Sequence, residues 1–358
     1  HFMAKEIAEQ PVVLADALRH YLTADGQALN LPQVDFTGVD RLTLVACGTA
    51  SYACHVAKYW FEQIARIPVE IDVASEFRYR EPPITKGTVA LFVSQSGETA
   101  DTLAALRYCE GKADKILSVV NVPESSIARE SDLALSIFAG VEVGVASTKA
   151  FTCQLTVLLS LALKAASDRG EITPEQLADH VAAMRNVPAL INAAIDQDAQ
   201  MQSAARKISE ARDVLFLGRG VMYPLAHEGA LKLKEISYIH AEAYASGELK
   251  HGPIALIDSV SATPVIAILP AGHEHSLDEK MASNIQEVKA RGARVIVIAE
   301  EGANVVGVEY VIRIPVTNPL FQPILATVPL QVFAYEIAVA RGSDVDQPRN
   351  LAKSVTVE

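Results

Sequence analysis

The hexapeptide Ser94–Thr99 (SQSGET) combines three hydroxyl side chains, an amide, a glycine and a carboxylate. It follows the apolar run Val89–Val93 and precedes an amphipathic stretch, Ala100–Tyr108, which predicts a strand, a polar turn and a helix. Side-chain donors and free N–H groups at a helix N-terminus, helped by the helix dipole, can bind an anion. The pattern predicts a seat for a small phosphate group, although an ordinary capped helix start would contain the same residue types.

Two residues of the second half could move a proton. Lys232 and Glu235 are three positions apart in the predicted helix Glu228–Ile239, so they project from one face. Such a pair is commonly a solvated salt bridge. The segment that follows is largely apolar or small, however, and a carboxylate in such surroundings has a pKa raised by desolvation and can carry a proton.

Two further side chains are candidates for proton transfer and covalent chemistry. His251 lies in a Gly-Pro turn before the strand-like run Ile254–Ile257, and is either a local hydrogen-bonding residue or a proton shuttle. Lys353, in the C-terminal tail, could attack a carbonyl only after losing a proton. Since the ordinary pKa of a lysine side chain is about 10.4, the site must lower it by roughly three units, or about 4 kcal/mol, which only a buried site could do.

Composition limits the classes of protein to consider. The chain has 358 residues, half of them apolar, so it can bury a large core and is long enough for two domains. A formal net charge of −12 argues against binding nucleic acid or an anionic membrane. The most apolar stretch, Leu155–Ala166, contains Thr156, Ser160 and Lys164, which favours a buried core helix over a membrane span.

The four cysteines show neither a CxxC pair nor zinc-ligand spacing, which predicts reduced thiols, no metal and a cytoplasmic location. No signal peptide is visible at the N-terminus. The turn Gly218-Arg219-Gly220 lacks the third glycine of a dinucleotide site, and no GxxxxGK[ST] motif occurs. We therefore expect no cofactor.

Two series of strand candidates alternate with helical patterns, which predicts parallel sheets and a duplicated α/β domain. The first series is 42–46, 69–73, 89–93 and 116–120, and the second is 214–217, 265–269, 295–298 and 311–314. Residues 4–24 predict a leading helical arm interrupted at Pro11, and a polar helical region, Arg169–Glu210, separates the two series. Ligands should bind beyond the carboxyl ends of the strands, where the hexapeptide lies.

Together, five stretches resemble the isomerase part of the glutamine–fructose-6-phosphate aminotransferase family, a tandem pair of sugar isomerase (SIS) domains. They are 94–102 (SQSGETADT), 144–151 (GVASTKAF), 231–244, 248–253 (ELKHGP) and the tail 346–358. The resemblance implies two αβα sandwiches with parallel, flavodoxin-like sheets. The implied organisation is a linker and helical arm at 1–38, SIS domains at 39–170 and 206–342 with a helical connection at 171–205 between them, and a catalytic tail at 343–358.

The resemblance also implies a fructose 6-phosphate site, with a role for each matching residue. The phosphate would be held by Ser94, Gln95, Ser96 and Thr99 with Thr49 close by, and the sugar would be lined by Val145, Ser147 and Ala352. Lys353 would form a Schiff base with C2, and Glu235 would move a proton between C1 and C2. Lys232 would support Glu235, and His251, from the neighbouring subunit of a homodimer, would assist ring opening.

Two features qualify the resemblance. Some relatives have a serine after the turn Cys47-Gly48-Thr49, where this chain has Ala50, with Ser51 one place later. Losing that hydroxyl contact would cost about 1.5–3 kcal/mol if nothing replaced it. The first residue is His1, and the start matches the junction after the N-terminal glutaminase domain of the complete enzyme, so we expect a fragment or part of a longer protein without that domain.

The predicted function is therefore the conversion of fructose 6-phosphate to glucosamine 6-phosphate, with ammonia from glutamine supplied by the glutaminase domain. Two alternatives remain at this point. One is a regulatory SIS module that binds a sugar phosphate without turning it over, and would need neither Lys353 nor Glu235. The other is a deglycase that acts on a fructosamine phosphate.

Overall fold

The computed structural model describes residues 1–196, 198–270 and 276–357. Gln197, residues 271–275 and Glu358, in the predicted connection, second domain and tail, lie outside the described residues. The chain divides into two compact units, named here by their sheets. The first-sheet unit comprises residues 12–142, 149–186 and 352–357, and the second-sheet unit comprises 1–11, 143–148 and the described part of 187–351.

The first-sheet unit is built on a five-stranded parallel sheet with the order β2-β1-β3-β4-β5. The strands are β1 Arg41–Ala46, β2 Val69–Val73, β3 Thr88–Ser94, β4 Lys115–Val120 and β5 Leu133–Ser136. The helices that follow α1 (Phe2–Tyr21) are α2 Gly48–Ile64, α3 Ala74–Arg80, α4 Ala100–Cys109, α5 Ser126–Glu130, α6 Lys149–Asp168 and α7 Pro174–Met184.

The second-sheet unit repeats this order as β10-β9-β8-β6-β7, again with every pair parallel. Its strands are β6 Asp213–Gly218, β7 His240–Ala245, β8 Pro264–Ile268, β9 Arg294–Glu300 and β10 Tyr310–Ile314. Its helices are α8 Val187–Ile195, α9 Asp198–Ile208, α10 Met222–Ser237, α11 Leu277–Lys289 and α12 Gln322–Ala340, with 3₁₀ helices at Ser246–His251 and Pro253–Leu256. The predicted duplicated α/β fold is confirmed.

Continuous apolar strands explain why both sheets form. Every residue of β3 and of β8 is buried, as expected for central strands of a parallel sheet covered by helices. In the first-sheet unit, Phe92 packs with Phe77 and Leu106 from the flanking helices α3 and α4. This packing fixes the carboxyl end of the central strand β3, and therefore the position of the hexapeptide that follows it.

Three local predictions were wrong. Residues 254–257 do not form a strand, because Pro253–Leu256 is a 3₁₀ helix that starts after Gly252, a residue with φ of 139°. Pro11 does not interrupt the arm, since α1 continues through it. The helix predicted over Glu228–Ile239 begins earlier, at Met222, and ends where Tyr238 adopts a left-handed conformation.

Among the residues that the structure describes, two helices are long and apolar enough to cross a membrane by length and composition alone. They are α6, with 89% of its most apolar window buried, and α12, with 78% buried. Such burial is typical of the core helices of a folded domain, which agrees with the core helix predicted for Leu155–Ala166.

Candidate active site

The hexapeptide forms the turn between β3 and α4, as predicted. Ser94 is the last residue of β3, and Thr99 is the N-cap of α4. The two hydroxyl oxygens lie 3.1 Å apart, and Ser94 Oγ accepts a hydrogen bond from Gly97 N at 3.0 Å. The hydroxyl of Ser96 accepts a hydrogen bond from Glu98 N at 3.1 Å. The turn is therefore held in one shape by its own side chains.

Gly97 has a conformational and a steric reason to be glycine. Its φ is +67°, in the left-handed region that other residues rarely adopt. A Cβ at this position would overlap the side chain of Ser125. Both features let the turn pass close to the start of α5.

The turn lies where a parallel sheet of this order binds ligands. The connections from β1 and β3 leave toward opposite edges of the sheet, so their carboxyl ends border a crevice. Thr49, in the first turn of α2, follows β1 and is partly exposed. Ala50, the departure from the relatives, is buried, and so is Ser51.

The C-terminal tail contacts this turn. Ser354 Oγ lies 3.0 Å from Ser96 Oγ, and Ala100 N donates a hydrogen bond to the carbonyl of Val355 at 3.2 Å. The backbone N–H groups of Gly97, Glu98 and Ala100 all have acceptors in this arrangement. The hydroxyl and amide side chains of the predicted phosphate seat are therefore its main groups for binding a ligand, and the hexapeptide contains no Lys or Arg.

Lys353 is paired with a carboxylate that the sequence did not suggest. Its Nζ donates a hydrogen bond to Glu142 Oε2 at 2.5 Å. The Glu142 side chain is 0% exposed, whereas that of Lys353 is 25% exposed. Glu142 stands two positions before the predicted sugar-lining motif 144–151, and this proximity was the only sequence signal available for it.

The surroundings of Glu142 are buried and contain charge of both signs. Its Oε1 accepts a hydrogen bond from Ala150 N, in the first turn of α6, at 3.0 Å. Nearby, burial and then the Glu142 charge raise the pKa of Cys153, while the Lys149 charge lowers it. Cys153 is thus a protonated, unreactive thiol at neutral pH.

In the second-sheet unit, Lys232 and Glu235 form the predicted ion pair on α10. Lys232 Nζ lies 2.6 Å from Glu235 Oε2, and the Lys232 side chain is 0% exposed. Glu228, one turn earlier, lies 3.5 Å from the same Nζ and is also buried. The lysine is bracketed by two carboxylates, and only Glu235 keeps an accessible fraction, 20% of its side chain. The solvated salt bridge considered from sequence is therefore wrong for this pair.

The segment that contains Val145 and Ser147 is held by backbone and side-chain contacts. Glu6, on α1, accepts hydrogen bonds from Val143 N at 2.5 Å and Gly144 N at 3.3 Å. Val145 N donates to the carbonyl of Asp346 at 3.1 Å, while the Asp346 carboxylate accepts from the first two N–H groups of α1, at residues 2 and 3. These contacts fix the backbone of the segment.

His251 ends the first 3₁₀ helix and is exposed, and Ala352 is exposed in the tail.

The structure brings together Lys353 with Glu142, the tail with the hexapeptide, and Lys232 with Glu235 and Glu228. Gln95 lies in the same turn as Ser94 and Ser96, and its carbonyl accepts a hydrogen bond from Asn121 N at 3.1 Å. Sequence reasoning missed Glu142 and Glu228.

Within the described ranges, no group of three or more His, Cys, Asp or Glu side chains is arranged to hold a metal ion. A surface cavity lies at the amino ends of β6, β7 and β8, lined by residues such as Asp213, His240 and Thr263. The cavity is therefore on the opposite side of the sheet from the carboxyl ends of the strands, where sheets of this order bind ligands.

Comparison with known proteins gives a consistent result. The SIS domain family matches residues 35–164 and 207–341. A curated relative from Bradyrhizobium diazoefficiens, glutamine–fructose-6-phosphate aminotransferase [isomerizing], is 55% identical over 364 residues, covering 100% of this chain and 59% of the relative. The chain thus spans about three fifths of the length of the curated relatives that it matches.

Two solved structures are similar over almost their whole length. The C-terminal domain of glucosamine-fructose-6-phosphate aminotransferase from Francisella tularensis is 42% identical, with a TM-score of 0.92, covering 97% of this chain and 98% of that one. Glucosamine-6-phosphate deaminase from Thermotoga maritima is 26% identical, with a TM-score of 0.78, covering 99% of both chains.

Proposed function

Because the chain belongs to the SIS domain family, as the isomerase part of the glutamine–fructose-6-phosphate aminotransferases, we propose that it converts fructose 6-phosphate to glucosamine 6-phosphate. The observation that carries the proposal is the tail. The tail holds the partly exposed amine of Lys353 against the buried carboxylate of Glu142. The next residue, Ser354, contacts Ser96 of the predicted phosphate seat in the same unit.

The proposed mechanism divides binding from chemistry. Ser94, Gln95, Ser96 and Thr99 hold the phosphate by hydroxyl and amide donors, with Thr49 close by. The hydroxyls of Ser94, Ser96 and Thr99 are held in place by hydrogen bonds within the turn, so they need little ordering on binding. Val145, Ser147 and Ala352 line the sugar.

Lys353 forms an iminium with C2 of the open-chain sugar, which makes the C1 proton acidic by drawing electrons toward nitrogen. Glu235 carries a proton between C1 and C2. Its partly accessible carboxylate lies 2.6 Å from the buried ammonium of Lys232, which orients it. No metal or redox cofactor is required, because the iminium is the electron sink.

His251 assists ring opening from the neighbouring subunit of a homodimer. Its exposed position at the end of a 3₁₀ helix supports this role, because it can reach a second copy of the chain. Ammonia comes from a glutaminase domain in the full-length protein. The four free cysteines support a reducing, cytoplasmic environment.

The test is to incubate the chain with fructose 6-phosphate in D₂O, with and without ammonia, and to follow products by NMR. We expect deuterium at C1 or C2 and glucose 6-phosphate without ammonia, and glucosamine 6-phosphate with it. Sugar-phosphate binding without exchange would instead identify a binding module. Turnover of a fructosamine phosphate alone would identify a deglycase.

A further inference from the structure

We propose that Glu142 is the acid–base residue that forms and hydrolyses the iminium at Lys353, an inference that rests on the proposed function. Its Oε2 accepts the hydrogen bond of Lys353 Nζ at 2.5 Å, so proton transfer between the two atoms needs no intervening group. Nothing in the sequence pattern assigned this residue a role.

The carboxylate is oriented for this task by the backbone. Oε1 is fixed by Ala150 N at 3.0 Å, at the N-terminal end of α6, where the helix dipole favours a negative charge. With one oxygen held by the helix, the other is held on the lysine nitrogen. The orientation therefore persists when Lys353 changes from amine to iminium.

The difference in exposure also favours proton exchange between these two groups. Glu142 is sealed from water, whereas a quarter of the Lys353 side chain is accessible. A substrate carbonyl can thus reach the nitrogen while the proton is received on its buried side. The charges of Glu142 and Lys149 also act on the Cys153 thiol, which stays protonated because burial raises its pKa.

The steps balance without a further reactant. Lys353 ammonium gives one proton to Glu142, and the amine adds to the C2 carbonyl, whose oxygen takes a proton from the attacking nitrogen to give a carbinolamine. Glu142 returns its proton to that hydroxyl, which leaves as water while the nitrogen lone pair forms the C=N⁺ bond. The carboxylate is regenerated, and the reverse sequence releases the product.

The experiment is rapid-quench borohydride trapping of the chain with saturating fructose 6-phosphate, read by the mass of the peptide bearing Lys353. We expect Glu142→Gln to lower the trapping rate at neutral pH by about 10²–10⁴-fold, with substrate affinity unchanged. Raising the pH should restore part of the rate in this variant, because hydroxide replaces the missing acceptor. A simple misplacement of Lys353 would lower the rate equally at every pH.

Two variants complete the design. Glu130→Gln breaks the ion pair of a partly exposed carboxylate with Arg107 in the same unit and should trap at the wild-type rate. Glu142→Asp keeps the carboxylate but shortens the side chain by one methylene group, which moves the carboxylate away from Lys353 Nζ. Trapping should therefore be at least about tenfold slower than in the wild type. If Glu142→Gln does not fold, this variant decides the question.

The outcomes separate the two claims. A wild-type chain that gives no adduct at Lys353 contradicts the proposed function. A wild-type chain that is trapped at Lys353, while a folded Glu142→Gln variant, or failing that Glu142→Asp, is trapped as fast, overturns the role of Glu142 and leaves the proposed function standing.

Discussion

The two sheets of this chain have the same strand order but carry different chemical groups. At the carboxyl end of β3, the first-sheet unit has a polar turn of hydroxyls, an amide and one carboxylate, Glu98, without Lys or Arg, and hydrogen bonds within the turn help to hold it. The second-sheet unit instead carries a buried lysine between two carboxylates on α10. A duplicated fold therefore supplies two frameworks with the same strand order, and the side chains that each one carries set its chemistry.

The two groups also differ in what holds them. The polar turn is stabilised by hydrogen bonds among neighbouring residues, each worth about 0.5–1.5 kcal/mol. In the ion triad of Lys232, Glu228 and Glu235, the first two side chains are buried, so removing the lysine leaves the buried Glu228 charge without this cation. The following predictions test this difference, beginning with the largest expected effect.

Glu235→Gln should abolish proton transfer between C1 and C2, lowering the exchange rate by about 10²–10⁴-fold with little change in substrate affinity. The amide keeps the shape and a hydrogen-bond acceptor but cannot carry the proton. Deuterium incorporation in D₂O measures the effect, and Glu301→Gln, an exposed residue after β9, is the control. Deuterium exchange at the wild-type rate in Glu235→Gln would show that Glu235, in the second-sheet unit, does not carry the proton.

Lys232→Met should lower the free energy of unfolding by about 3–5 kcal/mol, because Glu228 and Glu235 then face each other without the intervening cation. Lys234→Met, at an exposed position on the same helix, should change it by less than about 0.5 kcal/mol. Urea unfolding of both variants gives the comparison. Equal stabilities would mean that the triad is not the buried charge cluster described above.

Gly97→Ala should raise the KM for fructose 6-phosphate by about tenfold or more, since losing one hydrogen bond to a charged group costs about 1.5–3 kcal/mol. The new Cβ would overlap Ser125 and distort the turn. Gly111 is a matched control, because its φ is +68° and a Cβ there meets nothing within 4 Å. Gly111→Ala should lower the free energy of unfolding by about 1–2 kcal/mol through backbone strain alone, without raising the KM. A similar KM in the two variants would argue against the hexapeptide as the phosphate anchor.

The smallest expected effect is in thiol reactivity. Burial raises the pKa of Cys47, Cys54 and Cys153, and that of Cys109 to about 11, so the thiolate fraction at pH 7 is lower than for a free cysteine. Alkylation of the folded chain should be slow at neutral pH and accelerate as pH rises, with the partly exposed Cys47 reacting first. Rapid labelling of Cys153 at pH 7 would contradict the closed environment described around Glu142.

Features defined by local spacing were the ones predictable from sequence. The central strands are unbroken apolar runs, and Lys232 and Glu235 are neighbours by helix geometry. The edge strands β5 and β7 were missed for physical reasons, whereas the edge strands β2 and β10 were predicted. β7 alternates polar side chains such as His240 and Glu242 with alanine, and β5 has only four residues.

Contacts between distant residues gave no such signal. Glu142 and Lys353 are 211 positions apart, and Ser96 and Ser354 are 258 positions apart. No periodicity links such residues, because only the folded tail brings them together. The predicted domain boundaries, the dimer and the substrate contacts of Val145, Ser147 and Ala352 remain predictions.

The division between anchor, covalent residue and proton carrier is tested most directly by borohydride trapping of the Glu235→Gln variant saturated with fructose 6-phosphate. The account predicts a reduced sugar adduct on Lys353, found by peptide mass analysis, together with no deuterium exchange at C1 or C2. An unmodified Lys353, or an adduct on another residue, would contradict it.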